Sequence, residues 1–207
     1  MKIAIIGSGN VGSALGANLA AHDYDVTFGV REGRNADEAV TRSEGRASQA
    51  PIADAVATAE IVFLAVPANA AVDAARALDL AGKIVVDCNN PLRWDGGPVW
   101  NPPAEGSLAE AIAAVTDARV VKAFNTFGAE LHANPSLAGG GVDLPIASDD
   151  DDAKATIAAL GERCGFAPVD AGPLRNAAVL ENVAMLWIHL AMVGGQGRQF
   201  GYRRVGR

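Results

Sequence analysis

Lys2-Ile3-Ala4-Ile5-Ile6-Gly7-Ser8-Gly9-Asn10-Val11-Gly12 decides the reading of this chain. A five-residue apolar run leads straight into G-x-G-x-x-G, and the last glycine falls inside a helical pattern over 10–21. In that setting each glycine has a physical task. Gly7 permits a tight turn, Gly9 lets backbone amides approach a pyrophosphate, and Gly12 allows close packing of helix on strand. The N-terminus of the helix adds partial positive charge and free N–H groups, with Ser8, Asn10 and Val11 beside them.

Outward from this turn the same rhythm repeats. Near-continuously apolar runs at 2–6, 25–30, 61–66, 84–87, 120–124 and 143–147 alternate with helical segments at 10–21, 52–57, 70–78 and 108–115. Strands without polar alternation are strands covered on both faces, as crossover helices require. The pattern predicts an α/β fold: a Rossmann-type doubly wound parallel sheet over residues 1–147, with a small α/β C-terminal extension over 148–207. Ser107 and Glu110 have the spacing of a capping box at the start of one helix. In the extension, a helix over 151–164, a strand over 166–169 and a long helix from Gly172-Pro173 to Gly194-Gly195 are expected.

Composition limits the function classes. Of 207 residues, 24 are Asp or Glu and 17 are Lys or Arg, a net charge of -7 that argues against binding nucleic acid or an anionic membrane. The most apolar stretch, 177–193, contains Glu181, Asn182 and His189 and suits a buried helix better than a bilayer span. No export signal is recognised, and Cys88 and Cys164 are too few for a disulfide framework, so a cytoplasmic protein is expected. His22, His132 and His189 are scattered, with neither metal nor triad spacing. The aspartates at 149–152 suit a helix N-terminus without any ion, and no metal site is expected.

The end of the second strand sets the choice of dinucleotide. Where an NAD site places an acid, this chain has Arg31, followed by Glu32, Gly33 and Arg34. Arg31, seconded by Arg34, fits the 2′-phosphate of NADP(H), whereas a strand one residue longer would bring Glu32 to the ribose and invert the preference. Val66 and Pro67 close the next strand where a nicotinamide would lie. Asn89, Asn90 and Pro91 follow the strand after, and Asn125 and Thr126 the next, so all face one crevice. Asn89 is assigned to the cofactor, and Asn90, Pro91, Asn125 and Thr126 to a small-molecule second substrate. The loop over 89–106, with Trp94 and Trp100, reads either as a lid or as a packed surface loop. Lys122 and Asn125 resemble the K-x-x-N pair of β-hydroxyacid dehydrogenases, there on a helix and here on a strand.

Over nearly its full length the chain resembles the NADP-dependent reductases of the deazaflavin coenzyme F420. The resemblance rests on 5–12, Phe28-Gly29-Val30-Arg31, Leu64-Ala65-Val66-Pro67, 121–126, Asp170-Ala171-Gly172-Pro173-Leu174 and Leu180-Glu181. It implies hydride transfer directly between stacked rings, with no catalytic acid or base, under a C-terminal segment that covers the nicotinamide. It places Ser8, Asn10 and Val11 by the pyrophosphate and Arg31 by the 2′-phosphate. Val30 stands where archaeal members carry a serine, so one hydroxyl contact is lost. Two other readings stand beside it: an imine or ketone reductase with Lys122 or a bound water as proton donor, and a nonenzymatic NADP-binding redox sensor. Met185, Leu186, Trp187, Ile188 and Leu190 surround the last helix, more than one face can hold, so a homodimer built on it is expected. The basic tail from Arg198 to Arg204 is left two partners, the acidic body or an anionic substrate tail.

Overall fold

The computed structural model describes residues 1–206; Arg207, the end of the C-terminal segment, lies outside them. The chain runs β1 (Lys2–Ile6), α1 (Asn10–Ala21), β2 (Asp25–Val30), α2 (Asp37–Arg42), β3 (Ser48–Pro51), α3 (Ile52–Thr58), β4 (Ile61–Leu64), α4 (Ala68–Arg76) and β5 (Ile84–Asp87). A hairpin of β6 (Leu92–Trp94) and β7 (Pro98–Trp100) precedes α5 (Leu108–Ala113), β8 (Arg119–Lys122) and α6 (Ala129–Ala133). Next come the short strands β9 (Ser136–Leu137) and β10 (Gly140–Gly141), then β11 (Asp143–Ile146), α7 (Asp151–Arg163), β12 (Ala167–Asp170) and α8 (Ala177–Met192).

Six parallel strands form the central sheet in the order β3-β2-β1-β4-β5-β8. The order reverses between β1 and β4, so their C-terminal ends open a crevice at the switch point. Successive side chains leave a strand on opposite faces, and here both faces are covered. Ile3, Ile5, Phe63, Val86 and Val121 pack with Leu15, Leu19, Ile157 and Leu160 on one side. Ala4, Ile6, Val62, Leu64 and Val85 pack with Val56, Ala71, Leu108 and Ile112 on the other. This double burial is why the strands read as unbroken apolar runs.

Several local expectations change. The stretch at 143–147 does not join the central sheet: β11 pairs with β12 in a separate parallel sheet, touching the main one through an antiparallel bridge between Lys122 and Ala147. The sixth central strand is β3 instead, whose Ser-Gln-Ala-Pro sequence is polar because it is an exposed edge, closed by the proline edges tolerate. β4 and β8 end two residues earlier than expected, at Leu64 and Lys122, which leaves Val66 and Phe124 in the loops at the crevice. At α5 the Glu110 amide donates to Ser107 Oγ at 3.2 Å, and that hydroxyl donates to the Glu110 carboxylate at 2.8 Å, a variant of the expected box. The acidic run is spent on structure: Asp150 Oδ1 caps α7 through the Ala153 amide, and Asp149 Oδ1 accepts from the Leu174 amide. Among the described residues no group of His, Cys, Asp and Glu is disposed to hold a metal, and no helix is long and apolar enough to cross a membrane.

The basic tail lies on the body. Arg198 bonds both Glu130 oxygens, at 2.7 and 3.3 Å, and stands over the Trp187 ring, whose Nε1 donates to the Phe200 carbonyl at 2.8 Å. The Asp143 amide donates to Tyr202 O, and Asp143 Oδ2 accepts from the Arg204 amide. The hydrogen bond from Arg198 holds the Glu130 carboxyl below the usual glutamate range, against the opposing effect of burial. A carboxylate whose folded pKa is depressed stabilises the fold above its unfolded pKa, and that contribution is lost as pH falls through the folded value. We expect wild type to exceed Glu130→Gln by about 1 kcal/mol or less at pH 7, given the pair's partial exposure. Urea melts should show the gap closing as the pH drops below the ordinary glutamate pKa of about 4.3.

Candidate functional site

Two adjoining cavities run along the C-terminal ends of β1, β2, β4 and β5, sharing Gly9, Ala65, Val66 and Pro67. The first, about 520 Å³, is lined by Ile6, Gly7, Ser8, Gly29, Val30, Arg31, Arg34, Asn35 and Ile52 besides the shared residues. The second, about 410 Å³, is lined by Asn10, Val11, Ala68, Cys88, Asn89 and Asn90 as well. The glycine turn builds the joint. Gly7 has φ 110°, and a Cβ on it would overlap the Ala65 carbonyl oxygen, while one on Gly12 would overlap the carbonyl of Gly7. A Cβ on Gly9 would meet nothing within 4 Å, so the crevice side of the turn stays open. No side chain caps α1, which leaves its first amides free to meet an anion there.

At the outer end of the first cavity, residues 31–34 form a tight turn. The Arg34 amide donates to Arg31 O at 3.0 Å, and Gly33, at φ 71°, supplies the left-handed residue. Both arginines therefore reach the same wall, and Glu32 does not line it. β2 ends at Val30 as expected. Among the described residues neither guanidinium has a carboxylate partner. Two cations without carboxylate partners and uncapped helix amides are the donor chemistry that a phosphorylated ligand requires.

Below the second cavity lies a charge cluster. Lys122 is wholly buried, and its ammonium donates to Asp87 Oδ2 at 2.7 Å, Asn89 O at 2.6 Å and Glu181 Oε1 at 3.0 Å. All three of its protons are used, and Lys122 lines neither cavity. Both carboxylates are completed by other donors. Asp87 Oδ1 takes the Asn89 amide and Nδ2, and Glu181 takes the Leu108 amide and Trp100 Nε1. Asp87 and Glu181 are absent from the sequence-derived candidates. Their signal was an acid closing an apolar strand and a lone acid inside the apolar α8.

The candidates separate in space. Ser8, Asn10, Val11, Val66, Pro67, Asn89 and Asn90 all line the crevice, though the Asn89 side-chain donor turns back to Asp87. Asn125 reaches it through Asn90: Asn125 Nδ2 donates to Asn90 Oδ1, and Asn90 Nδ2 to Asn125 O, both at 2.9 Å. Pro91 and Thr126 are buried and line neither cavity. The loop over 89–106 folds as a hairpin anchored by Trp100 on Glu181, leaving Trp94 exposed. Among the described residues Cys88 is the one ionisable group on the wall of the second cavity, and desolvation, with Asp87 adding, drives its thiol pKa upward and keeps it protonated.

A family model described as NADP oxidoreductase, coenzyme F420-dependent, matches residues 2–91. The chain is 31% identical over 213 residues to the F420-dependent NADP reductase of Methanothermobacter marburgensis, covering 92% of each. It is also 31% identical over 186 residues to metalloreductase STEAP3 of Rattus norvegicus, covering 89% of this chain but 36% of that protein. The chain thus spans little more than a third of that metalloreductase's length. A crystal structure assigned as an F420-dependent NADP reductase from Arthrobacter superposes over the whole of both chains, with TM-score 0.86 at 31% identity. A reductive aminase from Aspergillus terreus, solved with NADPH, matches 94% of this chain and 63% of its own, with TM-score 0.66 at 18% identity, a likeness of fold alone.

The cluster makes a stability prediction that the proton-donor reading does not. Lys122→Met keeps the volume but strands two buried carboxylates, and should cost about 3–5 kcal/mol in urea unfolding. A proton donor on a catalytic surface would instead lose turnover at nearly unchanged stability.

Proposed function

We propose, of a chain that belongs to the coenzyme F420-dependent NADP oxidoreductase family, that it passes hydride directly between NADP(H) and the deazaflavin ring of coenzyme F420. When both are bound, the nicotinamide and the deazaflavin supply the redox chemistry and water balances the proton. The chain's residues bind and align. Gly7, Gly9 and Gly12 with the first amides of α1 hold the pyrophosphate, Arg31 and Arg34 the 2′-phosphate, and Val66, Pro67 and Asn89 the nicotinamide side. Asn90, backed by Asn125, borders the acceptor. The observation that carries this reading is the wall of the second cavity, whose single ionisable group is a buried thiol held protonated. Such a wall offers a ketone or imine only a very weakly acidic thiol, yet it suits ring-to-ring transfer, which depends on alignment of the two rings. In this reading residues 1–147 carry the dinucleotide and 148–207 close the site, in the cytoplasm, where buried unpaired Cys88 and Cys164 are at home.

We further propose a homodimer through α8. Met185 and Trp187 turn into the body, but Val179, Val183, Leu186, Leu190 and Val193 recur at spacings of four, three, four and three residues, the a/d pattern of a pairing helix. Val179 is 59% exposed, Leu186 52% and Val193 45%. The strip carries no charge, so a second copy of itself meets no repulsion there despite the net charge of the whole.

Stopped-flow mixing of NADPH with oxidised coenzyme F420 should show rapid hydride transfer, and Arg31→Ala should weaken NADPH binding about 10- to 100-fold, the worth of one or two charge-assisted hydrogen bonds. NADH binding should barely change. Nucleotide binding without turnover of any acceptor would identify a sensor instead. Sedimentation should give a dimer for wild type and a monomer for Leu186→Glu; a wild-type monomer at micromolar concentration ends the dimer proposal.

A further inference from the structure

Phe124 is the residue by which β8 leaves the sheet, and its backbone is left-handed at φ 59°. A bulky side chain there is strained, and such strain persists only where its surroundings impose it. Two features converge on it. The ring packs edge-on against Phe63, at 5.6 Å between centroids, and against Phe166, at 5.3 Å. Its carbonyl faces Nε2 of His132, 2.8 Å away.

His132 is wholly buried on α6, with its other nitrogen, Nδ1, 2.9 Å from Gly128 O. Carbonyl oxygens only accept, and a neutral imidazole has a single N–H to give. Burial pulls its pKa below the usual value, so the ring is neutral near pH 7. Gly128 O already accepts from the Leu131 amide at 3.1 Å, whereas among the described residues Nε2 is the donor available to Phe124 O. We assign the proton to Nε2, the tautomer that gives Phe124 O its donor and leaves Gly128 O to the Leu131 amide.

The next residue gives this bond its consequence. Asn125 is 4% exposed, pairs with Asn90 at the cavity wall, and keeps a buried Oδ1 without a partner among the described residues. A rotation at Phe124 displaces the carbonyl and the side-chain amide of Asn125, the two groups bonded to Asn90. We propose that His132 is a positioning residue: through the Phe124 carbonyl it holds the Asn125–Asn90 pair that forms the acceptor side of the crevice. This rests on the acceptor site proposed above.

Three variants divide the ring's functions. His132→Gln places an amide donor where Nε2 stands, His132→Asn one where Nδ1 stands, and His132→Phe keeps bulk without either. With coenzyme F420 as acceptor and NADPH as donor, His132→Phe and His132→Asn should raise KM for the acceptor about tenfold, the worth of one hydrogen bond. Their kcat and their NADPH affinity should stay within about twofold of wild type, a split that general loosening of the fold would not produce, and His132→Gln should restore KM. In nitrogen-15 spectra, the Asn90 and Asn125 side-chain amides should exchange faster in His132→Phe and His132→Asn and as in wild type in His132→Gln. Unchanged amide exchange in His132→Phe, an acceptor KM untouched by it, or an imidazole protonated on Nδ1 overturns the proposal. If wild type reduces no coenzyme F420, the acceptor assignment fails while amide exchange still decides the positioning.

Discussion

The Lys122 ammonium, buried between Asp87 and Glu181, is the interaction on which the placement of the site depends. Its three bonds join the ends of β5 and β8 to α8, and Glu181 extends the junction to the β6–β7 hairpin through Trp100 and to the start of α5 through Leu108. Five pieces of chain are thereby fixed around one point under the crevice. Burying an ion pair brings little net stability, since desolvation offsets most of the attraction. Its directional bonds do constrain geometry. Each carboxylate accepts three donors and each ammonium proton has an acceptor, so one arrangement of the five segments satisfies them all.

That arrangement separates stability from chemistry. The charged groups of the second half of the crevice are turned inward and saturated, and what faces the cavity is amide, apolar or thiol. A hydride donor needs a partner held close and water kept away; an exposed acid beside it would add a competing proton path. Cys88 illustrates the division: it lies against Asp87 on one side and the cavity on the other, and remains neutral because it is buried.

How far the sequence discloses this depends on whether a constraint is local. The glycine turn was legible because each glycine answers a short-range need: a positive φ at Gly7, contact of Gly12 with Gly7, open space beside Gly9. Arg31 and Arg34 were legible for the same reason, as the strand before them ends where its apolar run ends. β3 was not, because an edge strand needs no apolar face, and its pairing with β2 is settled by the sheet. Nor was the partner of β11, since an apolar quartet fits either sheet and the choice lies with β12, more than twenty residues on. Lys122 was noticed for its spacing from Asn125, but spacing along a strand says nothing of burial. Its true partners are 35 and 59 residues away.

A net charge of -7, taken as a whole, opposes binding of a polyanionic dinucleotide. Distance resolves the conflict. At physiological ionic strength exposed charges are screened beyond about 8 Å, so the acidic surface as a whole exerts little force on a bound phosphate. In the proposed site, Arg31, Arg34 and the uncapped amides of α1 act at contact distance, where screening is slight. Attraction confined to contacts favours a ligand that fits the turn and carries its phosphates in the right places over one that is merely negative. On the proposed reading, an acidic protein repels nucleic acid weakly everywhere and takes a nucleotide at one place, which ties selectivity to the shape of the glycine turn.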